Sequence, residues 1–154
     1  MKNKKVAILG KLQTKFYAPF WSKDWDIWTL NNNEGVLPRI DLWFDVHTPD
    51  GSTIPYYKAN ITQKNFPFQA VQRLVGGSYF NNSISYMIAY AILLNYKEIA
   101  LYGMRFTLDS EHRRQEYFNV RELIFFAKGK GIKVTAPYDD VMLQEYPLYG
   151  IESN

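Results

Sequence analysis

At 154 residues, 47% hydrophobic and 17% aromatic, the chain has the size and composition of one folded domain, residues 1–154, with a substantial core. It contains no cysteine, which excludes disulfides, thiolate catalysis and cysteine metal sites. The formal net charge of +3 arises from lysines and arginines scattered along the chain, a pattern that leaves anion binding open and argues against nucleic acid as a partner.

The start, Met1-Lys-Asn-Lys-Lys5, is basic, but the apolar stretch behind it, Val6 to Leu9, is too short for a signal-peptide core. The longest apolar run, Tyr86 to Leu94, is far short of a membrane span. A soluble cytoplasmic protein with no membrane partner is expected. Lys5 to Gly10 reads as the first strand, with a loop or short helix through Lys11 to Trp21. Trp25 to Leu30 is the second strand, followed by the turn-rich Asn31-Asn-Asn-Glu-Gly35. Ile40 to His47 alternates apolar residues at Ile40, Leu42, Phe44 and Val46 and is closed by Thr48-Pro-Asp-Gly-Ser52. Ile54 to Lys58 reads as a short edge strand because it carries Pro55.

The second half alternates more clearly. Phe68 to Val75 has a helical pattern ending at Gly76-Gly77. Asn81, Asn82 and Ser83 then form a polar cluster at a helix start, where the first N–H groups have no internal partner; such a cluster either holds an anion or caps the helix. Ile84, Met87, Ile88, Ala91 and Leu94 give helical spacing, Asn95 stops it, and Glu98 to Tyr102 is a buried strand ending at Gly103. Thr107 to Arg114 reads as a polar stretch. Tyr117 to Lys130 forms a long helix with Tyr117, Val120, Leu123, Ile124 and Ala127 on one face. Ile132 to Thr135 is the last strand.

This order predicts a three-layer, Rossmann-like α/β fold with a largely parallel sheet. In such sheets the ligand crevice lies at the carboxyl ends of the strands. Gly10 and Lys11, Asn31 and Asn32, Asp45 and His47, and Gly103 to Arg105 all fall just after strands.

Five fragments taken together, Lys5-Val-Ala-Ile-Leu-Gly10, Asp26-Ile-Trp-Thr-Leu-Asn31, Asp41-Leu-Trp-Phe-Asp-Val-His47, Tyr79-Phe-Asn-Asn-Ser-Ile-Ser-Tyr-Met87 and Ala127-Lys-Gly-Lys-Gly-Ile-Lys-Val134, carry a resemblance. The chain resembles small Rossmann-like proteins of bacteriophages and prophages, which would place it in a host cytoplasm. More remotely it is similar to the family 42 sialyltransferases and to the archaeal-type hydroxymethylpterin pyrophosphokinase-like domain. The sialyltransferase likeness implies a cytidine nucleotide site built from a glycine loop, an Asn after the second strand and a Ser-containing turn. Gly10, Asn31 and Ser83 match those positions, with Asn82 beside the last. That family's loop reads Gly-x-Gly-Pro-Ser or Gly-x-Ala-Pro-Ser, whereas here it is Gly10-Lys-Leu-Gln-Thr-Lys15. Thr14 keeps a hydroxyl, Leu12 crowds the place of a phosphate, and Lys11 and Lys15 supply charge.

The likeness implies a glycosyltransferase-like reaction on a nucleotide or nucleotide sugar. Lys11, Thr14, Ser83 and Tyr117 would hold the leaving phosphate, and His47 or His112 would act as base. Asp109 and Glu111 beside His112 would favour its imidazolium. His47 is equally suited to anchoring its turn through Asp50 or the backbone. Arg105, Arg113 and Arg114 suit an oxyanion because a guanidinium binds it bidentately. Tyr79 and Tyr102, like Tyr117, could donate to a phosphate or pack. Trp21, Trp25, Trp28 and Trp43 could stack on a base or fill the core. No zinc pattern, nucleophile elbow or Walker loop is present, so neither a metal nor another cofactor is expected. Two further readings stand beside the enzyme: a non-catalytic protein that sequesters a nucleotide, and a homo-oligomeric module joined through its aromatic residues.

Overall fold

The computed structural model describes residues 4–31, 33, 37–51, 59–77, 79–138 and 142–152. Among them, six strands are formed: β1 (Lys5–Leu9), β2 (Trp25–Leu30), β3 (Leu42–Asp45), β4 (Ile61–Thr62), β5 (Glu98–Tyr102) and β6 (Lys133–Thr135). The helices are α1 (Phe68–Val75), α2 (Ser83–Leu93) and α3 (Glu111–Gly129), and a short 3₁₀ helix covers Gln13–Tyr17. The strands lie side by side in the order β4-β3-β2-β1-β5-β6, and every pairing is parallel. This is a Rossmann-like α/β sheet.

A parallel strand covered on both faces must be apolar on both. β1 meets that requirement, since Val6, Ala7, Ile8 and Leu9 have no exposed surface. Val6 and Ile8 face the helices and join Trp28, Phe44, Ile88, Ile99 and Ile124 in the main core. Ala7 and Leu9 point the other way, into a smaller cluster with Ile27, Ala18 and Phe20. The sheet therefore has two unequal covers: α-helices on one face, and on the other the 3₁₀ helix with the loop behind it. Trp28 anchors the thick side, with ring centroids 5.2 Å from Phe44, 5.6 Å from Tyr90 and 5.2 Å from Tyr96, separations at which aromatic pairs attract beyond their buried area.

α2 is buried nearly all round, with Ile84, Ser85, Met87, Ile88, Ala89, Ala91 and Ile92 inaccessible. That is the signature of a helix packed between a sheet and other helices. Asn95 ends it with a left-handed φ of 61°, a conformation that asparagine tolerates better than most residues. α3 corrects an expectation. It begins at Glu111, six residues before Tyr117, because Ser110 caps it by accepting from Arg113 N at 3.2 Å. Its first turn is polar and exposed, so the apolar period does not mark it. The strand expected at 40–47 is also shorter, and Trp43, Phe44 and Asp45 are all buried rather than alternating. The expected strand at Ile54–Lys58 and the candidate Asn32 lie outside the described residues. Among the described residues, no helix is long and apolar enough to cross a membrane.

From β1 the chain lays β2, β3 and β4 outward on one side, then returns through α1 and α2 to place β5 and β6 on the other. The β1–β5 pair is therefore the switch point of the sheet. Just beyond it Gly10 and Gly103 meet: a Cβ on Gly10 would lie 2.3 Å from the Gly103 oxygen, and one on Gly103 would lie 2.8 Å from Lys15 Cβ and 2.9 Å from the Gly10 oxygen. Gly103 also has a φ of +68°.

Gly103→Ala is expected to cost about 2–4 kcal/mol, from left-handed strain together with overpacking. Gly10→Ala should be destabilising for the backbone clash alone. Gly129→Ala, with nothing within 4 Å of the new Cβ, should instead raise stability by about 0.5–1 kcal/mol through helix propensity. Urea unfolding of the three variants separates these outcomes; a neutral Gly103→Ala would contradict the crossing geometry.

Candidate functional site

α2 leads directly into β5 and α3 follows it, so both helices begin at the carboxyl edge of the sheet. Between their first turns and the ends of the central strands lies an open cleft of about 560 Å³. Its walls come from Gly10, Lys11 and Leu12 after β1, Leu30 at the end of β2, Ile84 in α2, Gly103 to Thr107 after β5, and Asp109 and Arg113 at the start of α3. The interior is apolar, with Leu12, Leu30, Ile84, Met104 and Phe106, and the charged groups are few: Lys11, Arg105, Arg113 and Asp109. Arg105 is exposed and has no hydrogen-bond or ion-pair partner among the described residues. Arg113 reaches Glu116 at 3.2 Å. Asp109 accepts from the Thr107 hydroxyl at 2.6 Å. Its carboxyl is held below the usual carboxylate range chiefly by that hydrogen bond, against a smaller opposing effect of desolvation, and with help from Arg113 and Arg114.

The loop after β1 is tied down rather than open. Gly10 N donates to Tyr102 O at 2.7 Å, Leu12 N to Gly103 O at 2.9 Å, and Gly103 N to the Thr14 hydroxyl at 3.1 Å. The 3₁₀ winding turns Lys15 inward, where it is 3% exposed and donates to Asn33 Oδ1 at 2.7 Å. Asn33 in turn donates to Gly10 O and Thr29 Oγ1, both at 2.8 Å. Lys11 and Gly10 thus line the cleft, whereas Thr14 and Lys15 brace the loop beneath it.

Asn31 and Ser83, 52 residues apart, are brought together: Asn31 Nδ2 donates to Ser83 Oγ at 3.4 Å. Asn31 has a left-handed φ of 46°, held by its N–H on Phe44 O at 2.7 Å and by Trp43 Nε1 donating to its carbonyl at 2.6 Å. Its Oδ1 is buried with no hydrogen-bond partner among the described residues. Asn82 is the helix cap, accepting from Ser85 N at 3.0 Å. Sequence reasoning missed Asn119, a buried residue of α3 that accepts from Asn81 N at 3.1 Å and donates to Tyr79 O at 3.0 Å. It pins the start of α2 onto α3. The signal for it was an asparagine beside Val120 on the apolar face, which can be satisfied only by backbone groups such as these.

The remaining candidates lie elsewhere. Tyr117 is in the core at 5% exposure. His47, at the end of β3, has Nδ1 3.2 Å from Asp45 Oδ1, so it is Asp45, a wholly buried carboxylate, that anchors its turn. His112 sits on the exposed first turn of α3 with Nε2 2.6 Å from Glu116. Neither histidine lines the cleft. Trp28 and Trp43 are buried, Trp25 is half-buried, and Trp21 is exposed. Among the described residues no group of three or more His, Asp or Glu side chains is arranged to hold a metal ion. No protein-family model matches the chain, and neither a curated protein nor a solved structure matches it.

Lys15→Met should cost about 1–3 kcal/mol, because it leaves Asn33 Oδ1 buried without its donor. Arg105→Gln, on an exposed rim, should stay within about 0.5 kcal/mol of the parent. Equilibrium denaturation checks both, and a neutral Lys15→Met would mean that its ammonium does not brace the loop.

Proposed function

We propose that this chain binds a nucleotide, or a nucleotide sugar, in the cleft at the β1–β5 switch point. The observation that carries this reading is the polarity of the cleft: an apolar interior of ring size, with Lys11, Arg105 and Arg113 at its edge. A base buries two flat faces and a phosphate needs cations, so a nucleotide has the matching division of character. The Asn31 and Ser83 pair is not itself in the lining; it stands next in sequence to the lining residues Leu30 and Ile84 and joins the two elements that carry them.

Of the two ligand readings, binding without turnover is favoured. Glycosyl transfer would call for a base on the cleft, and both histidines are engaged elsewhere, with Asp45 and with Glu116. A phage-encoded binder of this kind would lower the free concentration of a host nucleotide. The ligand class is what the sialyltransferase likeness implies; the positions of His47 and His112 do not support the transferase step.

A nucleotide at a hundred times its Kd should stabilise the chain by about 2.7 kcal/mol, a rise in Tm of roughly 5–10 °C for a chain of this length. Ser83→Ala should reduce that rise without lowering the Tm of the free protein by more than a few degrees. A panel covering the common nucleotides and nucleotide sugars at millimolar concentration, read by thermal melting, decides the matter; no shift with any of them would sink the proposal.

A further inference from the structure

We infer that the cleft takes a nucleoside monophosphate rather than a diphosphate sugar, and that its phosphate sits on the β5–α3 side, on Arg105 and Arg113, instead of on the loop after β1. This rests on the nucleotide reading given above.

In parallel sheets of this order a diphosphate is commonly cradled by N–H groups of the loop after the first strand, at the start of a helix. Here three of those donors, the N–H groups of Gly10, Leu12 and Lys15, are engaged within the protein. Gly10 N and Leu12 N bond the end of β5, and Lys15 N bonds Leu12 O at 3.0 Å. The loop winds into a five-residue 3₁₀ helix instead of an α-helix. Gly10, which would be the small residue admitting a phosphate, is small because the Gly103 carbonyl occupies the space that a Cβ would need. Leu12, 47% exposed, stands at the cleft wall and offers a phosphate no hydrogen bond.

Across the cleft the chemistry is reversed. Arg105 leaves β5 with no partner among the described residues, and Arg113 stands one turn into α3. With Lys11 the lining holds three cations against the single carboxylate of Asp109, while Glu116 faces Arg113 from the next turn. Counted over the whole cleft, Lys11 on the opposite loop included, the lining carries a net positive charge of two, close to the roughly −1.5 to −2 of one phosphomonoester at neutral pH, and two of its three cations stand on the β5–α3 side. A second phosphate and a sugar would add charge and hydroxyls that a lining of three cations, one carboxylate and apolar Met104 and Phe106 does not match.

The test is isothermal titration of the full chain with a matched series on each common base: the nucleoside, its 5′-monophosphate and its nucleotide sugar. The monophosphate should bind at least about tenfold more tightly than either neighbour. Arg105→Gln and Arg113→Gln should each weaken the monophosphate about 10–100-fold, the range for loss of a charge-assisted hydrogen bond, and leave nucleoside affinity unchanged. Monophosphate binding indifferent to both substitutions, or a nucleotide sugar binding as tightly, would overturn the assignment while leaving nucleotide binding intact. If no member of the series binds, the nucleotide reading itself fails, and this inference fails with it.

Discussion

The contact on which the site depends is the crossing of Gly10 and Gly103 at the switch point. Two strand ends approach there more closely than any side chain would permit, and the hydrogen bonds from Gly10 N and Leu12 N to Tyr102 O and Gly103 O close the join. Thr14 then caps the Gly103 amide, and Asn33 ties Lys15 to the Gly10 carbonyl. A surface loop becomes a fixed floor by these means. The same bonds take the N–H groups of Gly10 and Leu12, two of the donors that a phosphate-binding loop would present, so rigidity of the floor competes with an anion seat on that loop. In this chain the first has been taken, and the cations of the cleft come from side chains instead.

The upper wall is positioned through α2. Asn82 caps the helix, Asn119 holds the backbone of Tyr79 and Asn81, and Ser83 and Ile84 follow in the first turn at a defined height above the sheet. Asn31 approaches from the end of β2 in a left-handed conformation that Trp43 and Phe44 keep in place. Asparagines thus set the geometry where a hydrophobic contact could not: the Asn119 carboxamide accepts from the Asn81 N–H and donates to the Tyr79 carbonyl, and that of Asn82 accepts from the Ser85 N–H.

Much of this was legible before any coordinates. β1, β2, β5 and α2 are written as apolar runs with clear stops, and a parallel order places Gly10, Asn31 and Gly103 at strand ends along one edge; setting Ser83 beside Gly10 and Asn31 is what the sialyltransferase likeness implies, not what position alone tells. The start of α3 was not legible because its first turn is solvated, and only the Ser110 cap marks it. β4 pairs through just two residues at the sheet edge, too short to show a period. The direction of side chains in the loop after β1 was also hidden. Lys11 and Lys15 look alike in sequence, yet the 3₁₀ winding sends one to the cleft and buries the other against Asn33. Side-chain direction in such a loop follows from tertiary hydrogen bonds, which no local pattern encodes.

The buried Oδ1 of Asn31, without a partner among the described residues, marks a cost carried by the turn after β2. An orphaned acceptor of this kind costs about 1–3 kcal/mol. Rotating the carboxamide by half a turn lets the Ser83 hydroxyl donate to the oxygen, but then leaves the N–H₂ group in the orphan's place. Among the described residues one polar group stays unmatched in either orientation, and Asn31 itself is not part of the cleft lining. A fold that has satisfied Asn33, Asn82 and Asn119 so fully had the means to satisfy Asn31 as well. The left-handed turn held by Trp43 and Phe44 therefore outweighs one unmatched carboxamide group, because that turn fixes where β2 ends against the first turn of α2.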